Sequence, residues 1–426
     1  MWLPDLADAA WVGDVLARHA ETLGLAGEVT SAQLVDVRLT NPQRPESARC
    51  RGWATYVVTL HGGASAQLYL KGFPDRASSE SAWRQDRATR QQGRSELLAE
   101  HDLVVWRFPE DPQLAALPEL LASPLGPDVV PAAVAEALGV RSGLRATVVR
   151  YQPEASATLR VEGSGGGTSS VFAKLLAVGS VTTVAARHHA LWSLTGPQEP
   201  LRIAEPLATD PVRRVLWTRG VPGAAVVDAV PAHELARATS TVGPLLAALH
   251  ACTVGPMPRT SADDLIVEML KKAGKLALAD ATLEPVVSDL VAASTRRRRD
   301  VTDERLCSLH GDFHLDQLVA SGVGPVLVDL DSMVHGPPEI DLAEFLVDLA
   351  LRGLPEGVAG QVADGLLSSY TAATGTGIDA ALLDICAAAE FVNRCYRHLR
   401  RHTPGWQQDL EAELGRYGEV TRLLRG

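Results

Sequence analysis

The residues best suited to chemistry lie between positions 309 and 333, in LHGDFHLDQLV followed by PVLVDLDSM. Asp312 lies in a polar loop after a short apolar run, Gln317 follows in the same loop, and Asp329 ends the next apolar run. A loop followed by a hairpin would bring these three side chains to one edge. Phosphoryl transfer needs such a set: one carboxylate orients the attacking hydroxyl, and a second carboxylate with an amide oxygen holds Mg²⁺ on the nucleotide phosphates.

This segment also resembles a known catalytic loop. HGDFHLDQ at 310–317 is similar to the HxDxxxxN loop of aminoglycoside phosphotransferases and related small-molecule kinases. VDLD at 328–331 stands where that family has its metal-binding aspartate, and GPPEIDLA at 336–343 resembles the helix start that follows. The resemblance, which covers residues 144–400, implies Asp312 as catalytic base, Gln317 and Asp329 as Mg²⁺ ligands, and ATP or GTP as donor.

One position departs from the family pattern. Gln317 stands where the family usually has asparagine, and it offers the same amide oxygen on a stem one carbon longer. The actinobacterial maltokinase and glucosamine-kinase branch has a similar HGD-x-H-x-x-Q loop and carries an additional N-terminal cap. The resemblance further implies that His310 packs and hydrogen-bonds, that Asp341 fixes the loop and caps the helix it begins, and that Glu344 completes a capping box.

A kinase-like lobe needs a strand lysine that binds the α- and β-phosphates. Two lysines end apolar runs, Lys71 in AQLYLKG and Lys174 in SVFAKLL. Lys174 is preferred, because the chain between it and Asp312 leaves room for a small sheet, a hinge and two helices. Lys71 is interpreted as a strand-end residue whose ammonium reaches solvent. The two runs suggest a duplicated hairpin, although chance similarity is the favoured interpretation.

The glutamate that many kinases pair with this lysine is missing from the next predicted helix, Thr182–Leu194, where His188 and His189 form the polar face. Either the ion pair is absent or a later acid such as Glu205 supplies it. This departure keeps an inactive, nucleotide-binding scaffold among the alternatives.

A glycine run, GSGGG at 163–167, lacks the lysine that ends a P-loop and is interpreted as a hairpin turn. The phosphates are instead expected under the turn at Pro153–Ala157. The hinge that would hold a purine edge is expected at Arg219–Gly223.

The elements that must position these residues form a strand-rich first half and a helical second half. Period-two runs predict strands from 53 to 60, 66 to 71, 103 to 108, 145 to 152, 158 to 162, 170 to 176 and 212 to 218. From about 226 onward the spacing is helical, except around the catalytic segment. The pattern favours an α+β, bilobal protein-kinase-like fold with an extra α/β cap. The predicted domains are the cap at 1–140, the N-lobe and hinge at 141–225, and the C-lobe at 226–426.

The acceptor is expected between the catalytic loop and the last helices. Polar residues that share a helical face within 384–402 are candidates for its lining, although a solvated helix face is an equal alternative. They are Glu390, Asn393, Arg394, Tyr396 and Arg397.

Bulk properties exclude several other functions. The formal net charge is −11, which does not suit binding to nucleic acid or to an anionic membrane. The five cysteines include no CxxC pair, which predicts free thiols in a reducing cytoplasm rather than disulfides or a zinc site. The N-terminus lacks the basic segment of a signal peptide, and no apolar run reaches the ~18 residues of a membrane span.

The sequence therefore predicts a Mg²⁺-dependent kinase that phosphorylates a hydroxyl of a sugar, amino sugar, aminocyclitol or aminoglycoside. Two alternatives stay open. One is a kinase-fold enzyme that modifies serine or threonine of a peptide, and the other is the inactive scaffold.

Overall fold

The computed structural model describes residues 3–40, 51–89, 95–140, 142–163, 169–177, 179–196, 198–301, 305–355 and 357–425. Two antiparallel five-stranded sheets come first along the chain, and a mostly helical region follows. Residues 164–168, which include all but the first residue of the glycine run, lie outside the described residues.

The first sheet has the strand order β1-β2-β3-β5-β4. Its strands are β1 Val29–Thr40, β2 Arg51–Leu60, β3 Ser65–Gly72, β4 Ser95–Leu98 and β5 Leu103–Arg107. Helix α1, Ala9–Arg18, buries Val12 and Leu16 against this sheet, while α2, Arg76–Thr89, connects β3 to β4. Apolar residues alternate along β2 and β3, so one face of the sheet forms a core of its own with α1.

The second sheet repeats this topology, with the order β6-β7-β8-β10-β9. Its strands are β6 Leu144–Gln152, β7 Ser156–Gly163, β8 Val171–Leu176, β9 Pro206–Asp210 and β10 Val215–Arg219. Each sheet is a three-strand meander, a helix and a hairpin whose second strand pairs with the third strand of the meander. Lys71 lies on β3 and Lys174 on β8, the equivalent third strands. The similarity that the sequence attributed to chance thus extends over the whole unit.

Two short helices, α3 Leu117–Leu120 and α4 Ala132–Leu138, lie between the sheets in sequence. Their buried residues Leu117 and Val134 share a core with Leu159 and Trp217 of the second sheet. This part of the predicted cap therefore packs with the second sheet. The domain boundaries at 140 and 225 stay predictions.

The remaining chain builds one large core around α11 and α13, which are buried on most of their surface. Helix α5, Val181–Trp192, connects β8 to β9 and packs Val184 and Ala185 against Leu176 and Leu216 of the second sheet. The later helices are α6 Val226–Ala229, α7 Leu235–Ala238, α8 Val242–Ala251, α9 Ala262–Ala279, α10 Glu284–Arg297, α11 Glu339–Leu351, α12 Val358–Thr374, α13 Ala380–Arg401, α14 Trp406–Gly415 and α15 Tyr417–Leu423. Short hairpin strands carry the catalytic segment: β11 Cys307–Leu309, β12 Leu318–Ser321, β13 Gly324–Leu327 and β14 Val334–Gly336.

This architecture confirms the predicted order of a strand-rich first half and a helical second half. None of the described helices combines the length and apolarity that crossing a membrane requires.

Candidate active site

Helix α11 positions the predicted catalytic loop through three acids on one face, Asp341, Glu344 and Asp348. Asp341 accepts hydrogen bonds from two consecutive backbone N–H groups at 2.7 and 3.0 Å, Glu344 accepts one at 2.8 Å, and Asp348 accepts one at 3.4 Å. These donors belong to His310, Gly311, Phe313 and Leu315. The loop backbone is therefore anchored to a buried helix, which fixes the direction of Asp312.

Two loop details agree with the expected packing, and one does not. His310 is fully buried, and its Nε2 lies 2.9 Å from the carbonyl oxygen of Val328. Gly311 has φ 79°, and a Cβ there would overlap the carbonyl oxygen of Ser332, so only glycine fits. The capping-box interpretation of Glu344 is wrong: α11 begins at Glu339, so Asp341 and Glu344 lie inside the helix and bind the loop instead.

Asp312 reaches into a polar cavity of about 570 Å³, and its side chain is 47% exposed. The imidazole Nε2 of His314 lies 3.8 Å from its Oδ2. This neighbouring ring holds the pKa of the Asp312 carboxyl below its ordinary value. The carboxylate is consequently ionised at neutral pH and accessible to a substrate hydroxyl.

On the other side of the loop, Lys174 binds two carboxylates. Its ammonium contacts Oδ1 of Asp329 and lies 2.6 Å from Oδ1 of Asp331. Burial raises the pKa of Asp329, but Asp331 and Lys174 outweigh it and hold that pKa well below its usual value. Burial and then Asp329 raise the pKa of Asp331 to about 6. One ammonium faces two carboxylates, so the cluster has a surplus of negative charge.

The two carboxylates of this cluster bind Lys174 in place of the glutamate that is missing from the helix. Helix α5 supplies no carboxylate, and its buried His188 instead places Nε2 2.8 Å from the carbonyl oxygen of Ala204. Glu205, the alternative partner from the sequence, is ion-paired with Arg219. The carboxylates that hold Lys174 therefore follow the catalytic loop in sequence.

A second cavity, of about 320 Å³, lies between the second sheet and the helical region. Its walls are largely apolar, with Leu176, Val184, Leu216 and Val319 among them, and Lys174 and Asp329 lie on one side. The expected hinge lines it through Arg219, Val221 and Gly223. Such a slot accepts a planar base between apolar side chains, with charged groups at one end.

Gln317 connects the two cavities. It is 5% exposed and lines both of them. Its Nε2 lies 3.2 Å from Nε2 of His314, the residue beside Asp312. Gln317 thus stands between the Lys174 cluster and Asp312, and its role as a Mg²⁺ ligand stays a prediction.

The turn expected over the phosphates joins β6 to β7, and Glu154 at its centre has φ 57°. The Asp111 carboxylate accepts hydrogen bonds from Glu154 N–H at 2.9 Å and Tyr151 O–H at 2.8 Å. Lys71 of the first sheet forms an ion pair with the Glu154 carboxylate at 2.6 Å. Lys71 is therefore not the solvent-reaching residue that the sequence suggested.

Of the five predicted acceptor residues, Arg394 and Arg397 line the cavity with Asp312. Glu390 instead accepts a hydrogen bond from Arg394, because it points along the helix toward that side chain. Asn393 accepts one from Lys272, and Tyr396 is buried beside Lys275.

The sequence analysis missed four arginines that line the same cavity. Arg400 and Arg401 continue the α13 face of Arg394 and Arg397, so helical spacing was an available signal for them. Arg38 on β1 and Arg150 on β6 left no such signal, because the packing of separate parts of the fold brings them there.

The five-stranded sheet, hinge, helical lobe and acid-bearing loop define a phosphotransferase of the bilobal, kinase-like class. The chain belongs to the phosphotransferase enzyme family, whose sequence profile matches residues 157–377. This membership confirms the predicted small-molecule kinase and its fold. No curated protein matches the chain in sequence.

Three solved structures are similar to the chain in fold. A thermostable mutant of aminoglycoside phosphotransferase APH(4)-Ia, in complex with ADP and hygromycin B, is 15% identical, with 68% of this chain and 96% of that chain covered and a TM-score of 0.48. A glucosamine kinase is 18% identical, covering 66% and 82%, with a TM-score of 0.45. A macrolide 2′-phosphotransferase of type I is 13% identical, covering 64% and 92%, with a TM-score of 0.45. Membership of the maltokinase branch stays a prediction.

Proposed function

We propose that the protein transfers the γ-phosphoryl group of ATP to a hydroxyl of a small polar molecule, with Asp312 as catalytic base. The observation that carries this proposal is the position of Gln317. It lines both the apolar slot beside Lys174 and the polar cavity that contains Asp312. A nucleotide in the slot would present its last phosphate near Gln317, where an acceptor hydroxyl beside Asp312 could meet it.

Nucleotide binding would use the slot and the charged groups at its end. The base lies between apolar residues such as Leu216 and Val319, with hinge backbone groups at its edge, and Lys174 binds the α- and β-phosphates. The turn centred on Glu154 covers the phosphates. Recognition through backbone groups does not by itself distinguish adenine from guanine, so GTP is the alternative donor.

The oxygen ligands at this end suit Mg²⁺. Asp329 offers an ionised carboxylate and Gln317 an amide oxygen, and the carboxylate pair around Lys174 has more negative charge than the single ammonium neutralises. A divalent cation would offset that surplus. Asp329 and Gln317 would therefore hold Mg²⁺, which when bound neutralises charge on the nucleotide phosphates.

Asp312 would orient the acceptor hydroxyl by accepting its hydrogen bond. A carboxylate with a lowered pKa is a weak base, so it takes the proton only as the oxygen bonds to phosphorus. The phosphoryl group passes directly from donor to acceptor, and no covalent enzyme intermediate is needed. Catalysis then depends on positioning, which the α11 anchor of the loop supplies.

Two observations favour a small-molecule acceptor over the alternatives. The polar cavity is bounded by the first sheet, the second sheet and α13, through Arg38, Arg150 and Arg397, so it leaves little length for a peptide. The inactive-scaffold hypothesis rested on the missing helix glutamate and on Gln317. Asp329 and Asp331 already provide carboxylates for Lys174, and Gln317 places its amide group where the two cavities meet.

The test measures ADP and GDP release with Mg²⁺ and each nucleotide, against sugars, amino sugars and aminoglycosides. Asp312→Ala is expected to reduce turnover by about a thousandfold or more, while nucleotide affinity stays within about twofold, because the base acts on the acceptor. Asp329→Ala is expected to weaken Mg²⁺–nucleotide binding. Asp300→Ala, at an exposed aspartate, is the control. Near-full activity of Asp312→Ala would refute the assigned base.

A further inference from the structure

The polar cavity around Asp312 is unusually rich in arginine. Six arginines line it from three separate parts of the fold, together with three aspartates. The arginines are Arg38 on β1, Arg150 on β6, and Arg394, Arg397, Arg400 and Arg401 on α13. The protein as a whole has a net charge of −11, so this concentration of positive charge runs against its overall balance.

The carboxylates of the cavity neutralise only part of this positive charge. Arg352, which is not part of the lining, lies 2.7 Å from Asp316 and 2.6 Å from Asp348. Asp348 also binds Arg394 at 3.1 Å, which accounts for that arginine as a support of the catalytic loop. Among the described residues, Asp312 is the one aspartate of the three with no arginine within 4 Å, although the charge of Arg397 helps to lower its pKa.

The other arginines have weak or distant partners. Among the described residues, no carboxylate lies within 4 Å of the guanidinium groups of Arg150, Arg400 and Arg401. In the part of the chain that the structure describes, the only carboxylate within 4 Å of Arg38 is Asp36 at 3.7 Å, and the only one within 4 Å of Arg397 is Glu390 at 3.5 Å.

Arg38 shows how close these charges lie. Burial lowers its pKa, and the positive charges of Arg400, Arg401 and Arg150 lower it further, against the opposite effect of Asp36. Once the amide of Gln152 is oriented to accept, its oxygen lies 2.8 Å from Arg150 and 3.2 Å from Arg38. One neutral oxygen between two guanidinium groups relieves little of their repulsion, so the cluster is incomplete without an anion.

We infer that the acceptor carries an anionic group, a phosphate or a carboxylate, which Arg38, Arg150, Arg400 and Arg401 bind while its hydroxyl faces Asp312. This inference rests on the proposed function and narrows its acceptor class. Guanidinium groups bind both anions through paired hydrogen bonds. Acceptors rich in ammonium groups, such as aminoglycosides, would be repelled by the same cluster.

The nucleotide does not account for the cluster. Its proposed phosphate ligand, Lys174, lines only the apolar slot, and Arg150 and Gln317 are the two residues shared by both cavities. Arg38, Arg400 and Arg401 line the acceptor side alone. Arg38 also gives the first sheet a role, because it completes the acceptor cavity from outside the two kinase lobes.

The first test is anion binding independent of turnover. Inorganic phosphate is titrated by calorimetry into the full-length protein saturated with Mg²⁺ and a non-hydrolysable ATP analogue. One phosphate per chain is expected, and the Arg38→Gln/Arg401→Gln double variant should weaken it about tenfold or more, since each substitution removes a charge-assisted hydrogen bond. Arg145→Gln, at an exposed arginine of β6 outside the cavity, should leave it unchanged. Undetectable phosphate binding, or equal binding in all proteins, would overturn the inference.

The second test uses matched acceptors: glucose, glucosamine, glucuronate and glucose 6-phosphate. We expect a higher kcat/KM for an anionic acceptor than for glucose or glucosamine. Comparing glucuronate with glucose 6-phosphate then shows whether the protein prefers a carboxylate or a phosphate. The double variant should lose that preference while its KM for ATP stays the same. Faster turnover of glucosamine or glucose would overturn the inference and leave the kinase function intact. If the wild-type protein phosphorylates none of these acceptors and hydrolyses no ATP, but still binds phosphate, the proposed function is refuted instead.

Discussion

Lys71 of the first sheet and Glu154 of the second form a two-pronged ion pair, with Nζ 2.6 Å from Oε1 and 2.7 Å from Oε2. Both side chains are about one-fifth exposed. Lys71 lies on the strand that corresponds to the strand of Lys174. The lysine of the first unit therefore holds the turn that is proposed to cover the phosphates in the second.

Lys71→Met is expected to weaken ATP binding severalfold and to lower the free energy of unfolding by about 1–3 kcal/mol, because the largely buried Glu154 carboxylate loses its charged partner. Calorimetric titration of ATP and thermal unfolding measure the two effects. Lys271→Met, which removes an exposed ion pair with Glu268, is the matched control and should change neither.

The double variant Lys71→Met/Glu154→Gln distinguishes two effects of the single variant: the loss of the ion pair, and the cost of leaving the Glu154 carboxylate without a partner. It should recover part of the lost stability and leave ATP binding weak, because the turn stays untethered. Full recovery of ATP affinity in the double variant would mean that the pair does not position the turn.

Gly311→Ala is expected to destabilise the protein by about 1–3 kcal/mol and to reduce kcat more than ATP affinity. Its backbone has a positive φ, and a Cβ would overlap the carbonyl oxygen of Ser332, so the loop that carries Asp312 must move. Steady-state kinetics and chemical denaturation measure this. Gly360→Ala is the control: that glycine lies in α12 with open space around it, and the change should stabilise the helix by up to about 1 kcal/mol. Unchanged kcat in Gly311→Ala would contradict the proposed loop geometry.

His188 predicts how stability depends on pH. Burial lowers its pKa to about 4 from an ordinary value of 6.5. The unfolded chain therefore takes up a proton at a higher pH than the folded chain, so stability is fully present above pH 6.5 and is lost as the pH falls toward 4. The loss reaches at most about 3 kcal/mol for this one group.

His188→Gln should flatten the pH dependence in that window, because glutamine does not titrate and can still donate a hydrogen bond to the Ala204 carbonyl. Thermal unfolding from pH 7.5 to 4.5 gives the comparison. His189→Gln, on the neighbouring exposed position, is the control. If wild type and His188→Gln lose stability in parallel, the imidazole is not the group responsible.

The sequence predicts some strands of the two sheets closely and misses others. Residues 53–60, 66–71 and 158–162 were predicted as strands within two or three residues of their bounds, because apolar alternation and glycine turns mark them. Strands β1, β4 and β9 were missed. β1 is half-exposed with an irregular burial pattern, and β4 is only four residues long. Each owes its conformation to pairing with a neighbour that local sequence does not reveal.

A break between two helices was likewise not visible in the local sequence pattern. Apolar residues keep a helical spacing over 231–249, but the structure has two helices there, α7 and α8, with a break at 239–241. The Thr239 hydroxyl donates to the carbonyl oxygen of Leu235 at 2.8 Å and competes with the helical pattern there. The apolar periodicity continues across this break, so spacing alone could not locate it.

The residues of the candidate site also fall into two groups, those that the sequence could predict and those that it could not. Asp312, Gln317 and Asp329 were predictable because one short segment contains them all, and the structure places them around the junction of the two cavities. Arg38 lies far away in sequence, and its place beside Asp312 depends on how β1 packs near the end of α13. Such a residue becomes visible only when separate parts of the fold are assembled.

Asp331 supplies the last prediction. Asp331 is two residues beyond the proposed ligand Asp329, and its Oδ1 lies 2.6 Å from the Lys174 ammonium, so it adds to the negative charge around Asp329. Asp331→Asn should raise the Mg²⁺ concentration needed for half-maximal activity about three- to tenfold, because removing one nearby charge weakens cation attraction by roughly 1 kcal/mol. Asp329→Asn should raise it much further, since it removes a proposed ligand. Mg²⁺ titrations at saturating ATP, with Asp300→Asn as the control, distinguish the two variants, and equal Mg²⁺ dependence in wild type and Asp331→Asn would contradict this role.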